Sequence, residues 1–204
     1  MLTTVLLLTL FTADPAVADA GSVPANFKAY FERAEATWLI NIKSREDAIE
    51  RAEVAHRGAA ANQKAAQRRK INDMKADLAD MKKDKPRALL PKSPQPGDIG
   101  ITSSAHVYAV LDDKTLAVKV ATHQGDVWAL MKLDSTKGIT TTNAKGQKSY
   151  HPHDIVFVAV EATPDQKEQA ARFMPASSGK PIIILETIKP AELAKMRALH
   201  EKLP

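Results

Sequence analysis

Residues 26–84 contain no proline and a single glycine, Gly58. They are rich in Ala, Glu, Lys, Arg and Gln, the side chains that lose least on entering an α-helix. The apolar residues begin at helical spacing, with Phe27, Phe31, Ala34, Trp38, Ile42 and Ile49 on one stripe. A second stripe, Ile71, Met74, Leu78 and Met81, has the three–four rhythm of an a/d seam. Between them, residues 52–66 give the stripe little except alanine, and Gly58 lies inside that weak stretch. Two arrangements fit. One is a single helix of about 58 residues, roughly 87 Å long at 1.5 Å per residue. The other is a hairpin turning near residues 58–62, so that the stripes meet. A glycine costs only about 1 kcal/mol within a helix, and the alanines after Gly58 make a poor turn, so one long, slightly bent helix is the expectation. In either case the stripes need a partner, because propensity alone does not hold such a helix.

Beyond this region Pro86, Pro91, Pro94 and Pro96 forbid helix and favour extended backbone, making residues 85–96 a stiff linker. From Gly97 the apolar period changes to two. Residues 106–111 and 116–121 flank Asp112, Asp113 and Lys114, a hairpin signal, and residues 127–133 follow a second turn at His123 and Gln124. Residues 155–160 and 182–185 are continuous apolar runs, as strands covered on both faces would be. Thr163, Pro164 and Gln166 predict a capped helix start, and Leu193, Met196, Leu199 and Leu203 predict a final amphipathic helix.

The expected fold class is therefore α+β. A long N-terminal helix, or helical hairpin, covers residues 24–84 and is followed by the linker. A small antiparallel β-barrel or sandwich of SH3-like or OB-like size occupies residues 97–189, and a short C-terminal helix occupies residues 190–204.

Residues 1–20 read as a cleavable export signal. A short apolar run is followed by Pro15 and by small-x-small sites ending at Ala18 and Ala20. The n-region departs from the pattern in lacking Lys or Arg. Such a signal implies a secreted or periplasmic protein, and no other segment is apolar enough to span a bilayer. The absence of cysteine excludes disulfides, thiolate metal sites and cysteine catalysis. The net charge of +5 is unevenly placed: residues 26–92 hold 16 Lys/Arg against 10 Asp/Glu, and residues 93–204 hold 13 against 12.

That imbalance carries the strongest chemical signal. No acid lies between Glu53 and Asp73, whereas Arg57, Lys64, Arg68, Arg69 and Lys70 do. Such a stretch suits an anionic envelope polymer, a lipid surface or nucleic acid, although a solvated helix face would read the same. Tyr108 and Trp128 are candidates for a ligand face on the β domain. His151 and His153 are candidate metal ligands, weakened by Pro152 between them. Gly179-Lys180 ends like a phosphate loop, but Met174 and Pro181 break the motif. No nucleophile motif is present, and no cofactor is implied. The expectation is an exported, non-enzymatic interaction or scaffold protein whose helix self-associates or docks a protein partner. The alternatives are a polyanion binder acting through the basic helix and a metal-binding or hydrolytic enzyme.

Overall fold

The computed structural model describes residues 23–139, 149–152, 154–174, 177 and 179–202. The export signal expected in residues 1–20, His153 and Leu203 lie outside the described residues.

The helical region forms the hairpin and not the single helix. Helix α1 (Ala25–Arg57) and helix α2 (Ala61–Lys83) run antiparallel. Packing decides this. Ile42, Ile49 and Ile71 are each 6–7% exposed in the hairpin, and burying one such side chain contributes about 1.5–3 kcal/mol. The turn forgoes only a few backbone hydrogen bonds at about 1 kcal/mol each. Gly58 does not enter the left-handed region; its φ is −84°, and Ala60 supplies the extended conformation that starts α2. The two helices are tied by the Trp38 indole, which donates to the Met81 carbonyl at 2.9 Å. Ion pairs join Arg45 to Asp77, Lys75 to Glu53 at 2.6 Å and Lys82 to Glu46 at 2.7 Å.

Among the described residues seven strands follow in one sheet: β1 (Ile99–Gly100), β2 (Ala105–Val110), β3 (Thr115–Thr122), β4 (Gly125–Lys132), β5 (Ser149–Tyr150), β6 (Phe157–Glu161) and β7 (Ile182–Thr187). Helix α3 (Pro164–Phe173) links β6 to β7, and helix α4 (Pro190–His200) ends the described chain. The spatial order is β1-β6-β7-β4-β3-β2-β5, with β4 and β7 parallel and every other pair antiparallel. The expected antiparallel barrel or sandwich does not form: among the described residues β1 and β5 are open edges of a mixed sheet. A parallel neighbour requires a long crossover. The chain supplies it through β5, β6 and α3, which carries β7 in beside β4 instead of closing β2 onto β6.

The two-residue period sorts the side chains as expected. Leu116, Val118 and Val120 of β3 point to one core with Val107, Ala129, Met131, Phe157 and Leu185. Ala117, Leu130, Ile182 and Ile184 point to the other face, where Ala170 and Met174 cover them. Helix α3 begins with the predicted capping box, in which Thr163 accepts from the Gln166 amide and Gln166 returns a bond to the Thr163 N–H. The Pro-containing segment does more than space the two parts. Leu90 is fully buried in the sheet core, held by its N–H to Ile101 O and its carbonyl to the His123 N–H, both 2.9 Å. The first turns of α1 close the assembly: Phe27, Tyr30, Phe31 and Ala34 pack on Ile99, Val156 and Ile188, joined by Leu193 and Met196 of α4. The hairpin is thus an arm rooted on one edge of the sheet.

Candidate functional site

The basic stretch lies at the free end of this arm. Arg57 closes α1, and Lys64, Arg68, Arg69 and Lys70 occupy the first half of α2. All five are exposed, and none forms an ion pair among the described residues. The shaft differs, since Glu46, Glu53 and Asp77 are matched to cations across the hairpin. Glu53, the nearest acid on the α1 side, is held below the ordinary carboxylate value by its hydrogen bond and charge contact with Lys75, with a smaller contribution from the Arg57 charge. At 100° per residue Lys64 and Arg68 share one side of α2, while Arg69 and Lys70 project elsewhere, so the charge surrounds the tip. Helix α2 begins without a side-chain cap and without an acid in its first turn. Its positive dipole end therefore adds to the same field, although the Gln63 N–H is already bonded to the Ala60 carbonyl at 2.9 Å.

Tyr108 and Trp128 are brought together, but not as an open platform. Their ring centroids are 5.3 Å apart, and His106 meets Tyr108 edge-on at 4.6 Å. The register slips between Val107 and Ala109, making Tyr108 the extra residue of a bulge; a bulge re-aims one side chain in this way. Trp128, however, is only 7% exposed. Two lysines that sequence reasoning missed sit over its ring, with Lys119 Nζ 5.8 Å and Lys180 Nζ 5.5 Å from the centroid. Lys119 is also paired with Asp126 at 2.8 Å. Together with residues of the Pro-rich segment these groups line a cleft of ≈ 540 Å³. Lys119 could have been found from its cross-strand register with Trp128; Lys180, which the sequence offered only as the end of a broken phosphate loop, sits in a loop that gave no sign of Trp128.

The histidines scatter. His151 is exposed, with Nδ1 3.1 Å from the Ser103 carbonyl; His123 lies in the β3–β4 turn and His106 stands against Tyr108. Among the described residues no group of three or more His, Asp or Glu side chains can hold a metal ion. No helix among them is long and apolar enough to cross a membrane. Comparison of the chain with protein-family models, with curated proteins and with solved structures gives no match.

Proposed function

We propose that the chain is an exported, non-enzymatic binding protein whose helical arm docks an anionic polymer or surface at its tip. The observation that carries this is the gathering of Arg57, Lys64, Arg68, Arg69 and Lys70 at the hairpin turn, all exposed, with Glu53 the nearest acid and already bonded to Lys75. Long-range attraction concentrates an anionic partner there before contact, and release of counterions supplies affinity that falls steeply with salt. An exported chain meets acidic polymers and lipid headgroups rather than cellular nucleic acid, so those are the partners of this reading. The test is retention on an immobilised sulfated polysaccharide as a function of NaCl. Replacing Arg68, Arg69 and Lys70 by Gln removes three of the five cations and should reduce the slope of log affinity against log salt by about three-fifths. Elution of the variant at the wild-type salt concentration would refute the reading.

A second reading, docking of a protein partner or a second copy along the arm, has one specific support. Leu39, Ile40 and Val54 of α1 are 52%, 68% and 53% exposed. Its original ground has weakened, because Ile42 and Ile49 are covered within the hairpin and Phe27, Phe31 and Ala34 by the sheet and α4. A monomer by light scattering at high concentration removes self-association.

A further inference from the structure

The cleft beside Trp128 lies where β4 and β7 begin side by side. Its ≈ 540 Å³ is bounded by residues 124–128 at the start of β4, residues 180–181 leading into β7, Lys119 of β3 and residues 92–95 of the Pro-rich segment. Small-molecule sites occupy about 300–1,000 Å³. The cleft therefore has room for a ring and its substituents, far more than a bare carboxylate or phosphate fills.

Its charges are held in place. The Lys119 and Lys180 ammonium groups lie 5.8 Å and 5.5 Å from the Trp128 ring centroid, where attraction to the ring face positions them. Lys119 is committed to Asp126 at 2.8 Å, and that hydrogen bond raises its pKa above the ordinary value and keeps it charged. Lys92 and Lys180 are exposed, and neither forms an ion pair among the described residues. A ligand carboxylate that meets Lys180 thus gains a charge-assisted bond without breaking an existing ion pair.

The rest of the lining is largely neutral and polar. The Gln124 side chain makes no hydrogen bond among the described residues, and an amide offers two donors and an acceptor. Asp126 accepts and Lys119 donates at adjoining points, a pair that suits neighbouring hydroxyls on one ring, each of which both donates and accepts. Pro94 and Pro181 add apolar surface for the C–H face of such a ring. An apolar ligand would leave these polar groups without partners, which costs free energy for each one desolvated.

We propose that this cleft binds one acidic sugar, a hexuronate, free or as a unit of an acidic polysaccharide, with its carboxylate on Lys180 and its hydroxyls on Asp126, Lys119 and Gln124. The proposal does not rest on the reading of the arm tip, none of whose cations lines the cleft.

The experiment uses the full chain carrying Arg68→Gln, Arg69→Gln and Lys70→Gln, so that the tip is silent and the two sites are read separately. In the isotopically labelled protein the Trp128 indole N–H signal reports the cleft. Trp38, bonded to the Met81 carbonyl in the arm, is the internal reference. The titrants are glucuronate, galacturonate, trigalacturonate, galactose, acetate and inorganic phosphate. With glucuronate or galacturonate the Trp128 signal should move and saturate at millimolar concentration, while the Trp38 signal stays. Galactose lacks the charge, and acetate and phosphate lack the ring hydroxyls, so each should bind at least about tenfold more weakly. Trigalacturonate binding at least as tightly as galacturonate assigns the site to a polymer unit; weaker binding assigns it to the free sugar acid. Lys180→Gln and Gln124→Ala, both at exposed positions, should each weaken uronate binding about threefold. A Trp128 signal unmoved by both uronates, galactose, acetate or phosphate binding as tightly as they do, or unchanged affinity in either variant would each overturn the proposal.

Discussion

Gly100→Ala tests the contact on which the root of the arm depends. A Cβ at Gly100 would lie 2.6 Å from the Leu90 nitrogen, 2.8 Å from the Leu90 Cα and 2.9 Å from the Leu89 carbonyl carbon. All three are backbone atoms, so no rotamer change can relieve the clash and the segment must move away from β1. That segment is pinned by the Leu90 N–H to Ile101 O and by the Ile101 N–H to Ala88 O, both 2.9 Å. Stretching two buried backbone hydrogen bonds costs about 2 kcal/mol, and the overpacking itself costs about 1–3 kcal/mol. A destabilisation of about 3–5 kcal/mol follows. At about 2–4 °C per kcal/mol for a chain of this size, the melting temperature should fall by about 6–20 °C. Urea unfolding followed by tryptophan fluorescence, with circular dichroism as the second probe, measures it. A variant within about 0.5 kcal/mol of wild type, inside the scatter of ordinary surface substitutions, would mean that residues 89–90 do not cross Gly100 at this distance, and the account of the root would fail.

Gly58→Ala should act in the opposite direction. The residue has φ −84°, and an added Cβ meets only the Ala55 carbonyl oxygen, at 3.9 Å; restricting the unfolded chain should then stabilise by about 0.4–1 kcal/mol, and a thermal melt showing a loss would refute the turn geometry. At alkaline pH, Tyr30 and Tyr150 both have pKa values raised by burial. A raised folded-state value makes their contribution complete below about pH 10 and lost as the pH rises through the folded pKa. Stability should therefore decline above about pH 10, less steeply in Tyr30→Phe, and a denaturation profile identical in the two proteins would refute the burial of that phenol.

What was legible in the sequence follows the range of the forces involved. Thr163, Pro164 and Gln166 act within one helical turn, and their capping box forms as read. The alternation in β3 and the turn at residues 112–114 are equally local. The continuous run at residues 182–185 announced a doubly covered strand, and β7 lies between β6 and β4 with Ile182, Ile183, Ile184 and Leu185 all buried. The neighbours it would choose were not legible, because parallel pairing with β4 depends on the path of a long connection. The hairpin was the less favoured of the two arrangements for an energetic reason. Gly58 costs too little within a helix to force a turn, and the deciding term, mutual burial of Ile42, Ile49 and Ile71, exists only after the chain has folded back. For the sites, the acid-free stretch gave the tip residues, and the turn then collected them. The bulge that aims Tyr108 at Trp128 left no mark in composition.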